Sequence, residues 1–193
     1  MTMNHTRFAP VQRLLHWLMS ACIFAMLFIG VGMVSTVTPS YSRLVSIHKP
    51  LGFTILVLAL IRLSLRIYYG APPLPADLPA PMKLAAKLSH YAFYALMIAM
   101  PLLGWAMLSA AGYPVVLHGG LHLPAIVGVS PELHTILWRA HFFLAFVFFA
   151  LILLHLAAAL FHKLVRHDGV FEAMAPGLKP EITVPPASST VPS

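Results

Sequence analysis

Cysteine and carboxylates are scarce in this chain. Its 193 residues contain one cysteine and only five aspartates and glutamates together. Cys22 has no second cysteine for an intramolecular disulfide, and a cluster of thiolate metal ligands is excluded. With so few carboxylates, an active site that uses a pair of acidic residues for acid–base catalysis is not expected. Between residues 111 and 135 there is no Lys or Arg at all.

Apolar residues and histidines, in contrast, are abundant in this chain. Hydrophobic residues are 60% of the chain, charged residues only 9%, and there are eleven histidines. The mean hydropathy of +0.86 is typical of an integral membrane protein and not of a soluble domain. The formal charge of +7 comes from residues beside the apolar segments and not from one basic patch. We therefore expect the cations to face a lipid bilayer, and we expect no nucleic-acid partner.

Four apolar segments are long enough to cross a bilayer, which takes about 20 helical residues. The first is too long for a signal peptide and lacks a small-residue cleavage site, so we expect it to be retained. The pattern predicts an all-α integral membrane protein, a four-helix bundle with up-and-down topology. The predicted spans are residues 11–34, 47–69, 87–110 and 136–165.

The distribution of Lys and Arg predicts the orientation of this bundle. Basic residues precede the first span, surround the connection between the second and third, and follow the fourth, so the positive-inside rule places both termini in the cytoplasm. The second connection, residues 71–81, is rich in proline and is expected to be a stiff extended strap. Residues 1–176 are predicted to form one membrane domain. The Pro-, Ser- and Thr-rich residues 177–193 are predicted to be a disordered tail.

Two histidines share one face of the fourth span. His141 and His155 are fourteen residues apart, which brings a helical residue back to within about 40° of its starting direction. The rise between them is about 21 Å, most of the thickness of the bilayer core. One helix therefore presents an imidazole near each membrane surface.

Two further histidines match these depths on other spans. His16 lies near the cytoplasmic start of the first span, at the depth of His155, and His48 opens the second span at the depth of His141. A low-spin haem takes two axial imidazoles from opposite sides of its plane. The pairs His16–His155 and His48–His141 are therefore candidate iron ligands for two haems.

Other polar residues at the same depths are candidate partners of haem propionates. Histidine and arginine can donate to these carboxylates, although the arginines and lysines can equally serve only as topology signals that snorkel to the membrane surface. His162 is expected at the water boundary. The candidates are His90, Arg13, Arg62 and Arg66 on the cytoplasmic side, and Lys49 and Arg139 on the outer side.

Histidines inside apolar spans are also compatible with three roles that involve no haem. A membrane histidine can be satisfied by hydrogen bonds to a neighbouring helix, or it can bind zinc or copper. The histidines can also line the path of a cation transporter. His118 and His122 have the four-residue spacing of a helical metal pair, but Gly119 and Gly120 between them disfavour a helix.

Several motifs in this order resemble the bacterial di-haem cytochrome b561 family. More distantly, the chain resembles the cytochrome b subunits of hydrogenases and formate dehydrogenases. The resemblance covers almost everything from Arg13 to about Pro176. The motifs are Arg13-Leu14-Leu15-His16-Trp17, His48-Lys49-Pro50-Leu51-Gly52, Arg62 with Arg66, His90-Tyr91 with Tyr94, Pro101-Leu102-Leu103-Gly104-Trp105, and the spacing of His141 and His155.

The resemblance implies a function and partners. It implies a multi-pass protein of the bacterial inner membrane with two haem b groups, held by the same two histidine pairs. Its activity would be electron transfer between an unidentified donor, such as superoxide or quinol, and membrane quinone. An alternative is a haem b anchor subunit that serves a separate dehydrogenase through a redox partner protein. A four-helix unit of this kind can also form a homodimer.

Overall fold

The computed structural model describes residues 7–36 and 39–177, and it confirms the four long apolar helices. All four are long and apolar enough to cross a membrane. They are α1 (Pro10–Ser35), α2 (Pro39–Tyr69), α3 (Ala80–Ala110) and α4 (Pro131–Phe161).

Three of the helices begin well before the spans that hydropathy indicates. Helix α2 begins at Pro39 and not at residue 47, and α4 begins at Pro131 and not at residue 136. Hydropathy reports only the hydrocarbon region, whereas a helix of 31 residues is about 46 Å long and continues into the headgroups. Proline fits the first helical turn, and Ser130 caps α4 by accepting a hydrogen bond from the Leu133 N–H at 3.2 Å.

The helices pack in chain order around a small apolar core. Helix α1 packs against α2, α2 against α3, and α3 against α4, while α1 and α4 have no extensive backbone contact among the described residues. Much of the apolar surface faces outward, as expected where lipid is the solvent. The buried core cluster takes residues from all four helices: Leu15, Met19, Ala59, Leu96, Met97 and Phe148.

A short β-hairpin connects α3 and α4. Strand β1 (Val115–Val116) pairs antiparallel with β2 (His122–Leu123), and a 3₁₀ turn at His118–Gly120 lies between them. Gly119 and Gly120 both adopt positive φ angles, 75° and 78°, which glycine tolerates best. The spacing of His118 and His122 therefore belongs to a hairpin. We call this end of the bundle the hairpin end.

The chain turns back on itself after α4. A π-helical turn (His162–Arg166) follows α4, and helix α5 (Val170–Met174) then returns to the start of the chain. The Phe8 N–H donates to the Ala173 carbonyl at 3.2 Å. We call this end, where α1 begins and α4 finishes, the terminal end. Residues 178–193, which include nearly all of the predicted tail, lie outside the described residues.

Candidate functional site

His16 and His155 face each other at the terminal end. His16 belongs to α1 and His155 to α4, and their ring centroids are 6.3 Å apart with an interplanar angle of 74°. His90 on α3 lies equally far from His155, also at 6.3 Å between centroids. Distance alone therefore does not identify which imidazole, His16 or His90, forms a pair with His155.

Arg62 and Arg66 lie beside these imidazoles. They line a cavity together with Phe8, Gln12, His90, Tyr94 and Met174. Arg62 donates to the Gln12 carbonyl at 3.2 Å, and the Arg66 guanidinium lies 5.4 Å from the centre of the Phe8 ring. The cavity therefore offers two cations, an imidazole and a phenol to an anionic group.

Arg13 lies elsewhere, in contact with the segment after α5. Its Nη1 donates to the Ala175 carbonyl at 3.2 Å, and Arg7 donates to the same oxygen at 2.8 Å. Trp17 donates to the adjacent Met174 carbonyl at 3.1 Å. Arg13 is thus not among the residues that line the cavity of Arg62 and Arg66. Its guanidinium joins α1 to the returning chain, and its role as a propionate partner stays a prediction.

His48 and His141 face each other at the hairpin end. Their ring centroids are 6.2 Å apart, and the rings are inclined at 66°. A Cβ atom added to Gly104 on α3 would lie 3.4 Å from His141 Cε1, so the α3 backbone packs directly against this imidazole. Near this pair, Lys49 is half-buried and Arg139 is exposed.

Phe148 lies midway between the two histidines of α4. It is seven residues from both His141 and His155 and is the buried residue of that helix. Its ring contacts Phe93 at 6.0 Å, and Phe93 contacts His155 at 5.1 Å between ring centres. Packed aromatic side chains therefore extend from the middle of α4 to His155.

Both facing pairs fit the dimensions of an iron held by two imidazoles. Two metal–imidazole bonds of about 2 Å each, with the ring radii added, separate the ring centres by about 6 Å. No group of three or more His, Cys, Asp or Glu side chains suited to a metal ion occurs in the described part of the chain. Two protein ligands suit a haem iron, because the porphyrin supplies the other four.

His162 is not the water-exposed residue that its position predicts. Its side chain is only 12% exposed, and Nδ1 donates to Asp168 Oδ2 at 2.7 Å. Arg166 donates to the same carboxylate oxygen at 2.8 Å, and its Nη2 lies 2.6 Å from Asp77 of the strap. The π-helical turn brings these groups together, and no regular helical spacing would have indicated it.

Two carboxyls at the terminal end have lowered pKa values. Burial alone would raise the pKa of Asp168, but hydrogen bonds from Arg166 and His162 outweigh it and hold that pKa below 3.8. The Lys163 ammonium bonds to Glu172 and lowers the pKa of that carboxyl. Both acids are therefore ionised at neutral pH and fasten α5 to the end of α4.

Fold and histidine geometry together define a class, the membrane cytochromes b. The family model described as prokaryotic cytochrome b561 matches residues 7–177. The chain is 28% identical over 171 residues to cytochrome b561 homolog 2 of Escherichia coli (strain K12), covering 87% of this chain and 90% of that protein. It is 29% identical over 174 residues to the probable superoxide oxidase CybB of Yersinia pestis, covering 89% and 97%.

The chain belongs to the prokaryotic cytochrome b561 family. It is a multi-pass protein of the bacterial inner membrane, binds haem b and takes part in electron transfer.

Proposed function

We propose that this cytochrome holds two haem b groups, one between His16 and His155 and one between His48 and His141. The observation that carries the proposal is the presence of two facing imidazole pairs with nearly equal ring separations, 6.3 and 6.2 Å, at opposite ends of the bundle. The fourteen-residue spacing on α4 supports it, because one helix then contributes a ligand to each site.

The protein's part in this chemistry is to hold and orient the haem groups. Each haem, when bound, would supply an iron that gains and loses one electron, and ligation by two histidines would leave that iron no open position for oxygen. In this proposal Arg62 and Arg66 pair with the propionates at the terminal end, and His90 and Tyr94 add hydrogen bonds. Lys49 and Arg139 are the candidate propionate partners at the hairpin end.

We further propose that electrons enter at the hairpin end and leave to membrane quinone. Superoxide is the donor we favour, because one relative is named a probable superoxide oxidase and because Lys49 and Arg139 would attract an anion. Two superoxide ions give up one electron each and become oxygen, and a quinone takes up two electrons and two protons to become quinol. The positive-inside distribution of Lys and Arg supports a cytoplasmic position for the terminal end.

A haem count of ligand variants tests the assignment. The purified protein should show two b-type haems per chain in a pyridine haemochrome assay. His16→Ala and His48→Ala should each lose one haem, because a ligand is missing from one site. His90→Ala is the matched control, since His90 is as far from His155 as His16 is, and it should keep both haems.

Three results would each contradict the proposal. Loss of a haem in His90→Ala, with none in His16→Ala, would show that His90 is the ligand. Absence of any haem band would remove the electron-transfer function. A dehydrogenase that copurifies and is needed for reduction would favour the anchor-subunit alternative.

Superoxide as donor has its own test. Lys49→Gln with Arg139→Gln should slow haem reduction by superoxide, because attraction of the anion is lost. The effect should fall as salt is added, because salt screens the attraction. Reduction by an uncharged quinol serves as control, because its rate should not depend on salt. An unchanged rate with superoxide would remove these cations from the proposal.

A further inference from the structure

Two arginines meet on one carbonyl oxygen where the chain returns to the start of α1. Arg7 Nη2 lies 2.8 Å from the Ala175 oxygen, and Arg13 Nη1 lies 3.2 Å from the same oxygen. Because both guanidinium groups donate to one atom, two positive charges are held side by side at the terminal end. The acceptor is a neutral carbonyl and compensates neither charge.

The carboxylates of the terminal end are already paired with other cations. The chain has five carboxylates, and three of them lie among the described residues of this end. Their ion pairs are Asp77 and Asp168 with Arg166, and Glu172 with Lys163. The two arginines on the shared carbonyl are therefore a local excess of positive charge that an anion from outside the chain can neutralise.

An apolar strip on α1 begins beside these arginines. Trp17 lies one helical turn after Arg13 and donates to the Met174 carbonyl at 3.1 Å, while the residue stays 43% exposed. From Arg13 to Phe24 the rise along the helix is about 16 Å, roughly half the thickness of the hydrocarbon core. The strip consists of exposed residues at helical spacing on one face: Trp17, Ala21, Phe24 and Phe28.

This combination of charge and apolar surface matches one class of molecule. Guanidinium groups bind phosphate oxygens through charge-assisted hydrogen bonds, often two at a time. Tryptophan is typical of the headgroup level of a membrane, and basic clusters on the cytoplasmic side bind anionic lipid headgroups. The strip then continues into the hydrocarbon region, where an acyl chain can lie against it.

We propose that Arg7 and Arg13 hold the headgroup phosphate of an anionic phospholipid, whose acyl chain lies on the strip of α1. The site requires neither histidine pair and is independent of the proposed haem ligation. Such a lipid contacts both α1 and the segment after α5, and it fastens the returning chain to the membrane surface. Free phosphate is a poorer occupant, because it leaves the apolar strip unused.

Native mass spectrometry of the holoprotein, with equal amounts of phosphatidylglycerol and phosphatidylcholine in the detergent, tests the site. The unmodified chain should retain phosphatidylglycerol in preference. Arg7→Gln with Arg13→Gln should lower this preference about thirtyfold, because each cation beside an anionic lipid contributes about a factor of five. Lys83→Gln with Lys87→Gln removes the same charge from the same end, and this matched control should keep the preference.

Three results of this comparison would overturn the proposal. Equal loss of preference in the two double variants would indicate diffuse surface charge and no site. Displacement of the lipid by inorganic phosphate at the same concentration would show that the strip contributes nothing. A shifted haem potential in Arg13→Gln, with the lipid preference unchanged, would assign Arg13 to a haem propionate instead.

A crosslinking measurement keeps both arginines and covers the case in which their variants do not fold. Benzoylphenylalanine in place of Phe24 should crosslink phosphatidylglycerol in excess of its share in vesicles that also contain phosphatidylcholine. In place of Phe146, an exposed ring of α4, it should crosslink the two lipids in their mixing ratio. The same lipid composition at both positions would contradict a bound anionic lipid on α1.

Discussion

Single residues determine how far the two histidine pairs differ. The pair at the terminal end lies beside Arg62 and Arg66, whereas the pair at the hairpin end packs against the bare backbone at Gly104. A nearby cation stabilises the reduced haem, because reduction removes one positive charge from the iron. In the proposed two-haem arrangement, Arg62 and Arg66 would therefore raise the reduction potential of the terminal-end haem.

Removing these cations should lower one potential. We expect Arg62→Gln and Arg66→Gln each to make reduction of the terminal-end haem less favourable by on the order of 1 kcal/mol. A spectroelectrochemical titration measures this. Arg43→Gln, an exposed cation of the same helix at its other end, is the matched control. Equal shifts of both haems in the Arg62 and Arg66 variants would contradict the assignment.

The sequence supports some of these residue positions better than others. That His16 faces His155 and that His48 faces His141 could be predicted, because helical spacing and depth determine these positions. The positions of Arg13 and His162 could not. Both depend on the return of the chain after His167, whose φ of 51° is a local backbone conformation that hydropathy does not report.

Among the elements, α5 depends most on electrostatic contacts. The pairs Lys163–Glu172 and Arg166–Asp168 hold it at the end of α4. The Met174 carbonyl, in the last turn of α5, accepts a hydrogen bond from Trp17. The next carbonyl, that of Ala175, accepts from Arg7 and Arg13. The short helix therefore joins the start of α1 to the end of α4, next to the cavity that Arg62 and Arg66 line.

The attachment of α5 should weaken in acid. Asp168 and Glu172 have lower pKa values in the folded state than their ordinary 3.8 and 4.5. A carboxyl with a lowered pKa stabilises the fold above its unfolded pKa and loses that contribution as the pH falls through the folded pKa. Amide exchange of residues 170–174, corrected for intrinsic rates, should therefore accelerate below about pH 4.

Neutral variants separate these carboxyls from other acid effects. The groups that face them are Arg166, His162 and Lys163. Asp168→Asn with Glu172→Gln should give faster exchange at neutral pH and no further acceleration in acid, since neither amide titrates. If amide exchange in this variant accelerated in acid as much as in the unmodified chain, groups other than Asp168 and Glu172 would be responsible.

The helix boundaries show a limit of hydropathy. The existence of all four helices follows from their apolar composition, but α2 begins at Pro39 and α3 at Ala80, in segments that are not apolar. Proline and capping residues such as Ser130 mark these starts better than hydropathy does. The β-hairpin is too short for any alternation of polar and apolar residues to reveal it.

For the molecule as a whole, orientation in the membrane is the property to test next. We expect the terminal end to be cytoplasmic and the hairpin end to be outside, because Lys and Arg are absent from residues 111–135. In a Cys22→Ala background, a membrane-impermeant maleimide on intact cells should label Leu121→Cys and not Pro176→Cys. Both positions are exposed in the structure, and the reverse pattern would invert the proposed direction of electron flow.

The small core has a consequence for the abundance of this protein in the cell. Six buried side chains from four helices form the core cluster, and α1 and α4 meet through His16 and His155 and not through an extensive backbone contact in the described residues. A cofactor bound between them would itself complete the interior, so that its binding energy becomes folding energy. Cells short of haem should therefore degrade the newly made chain, and its abundance should follow haem supply and not transcription alone.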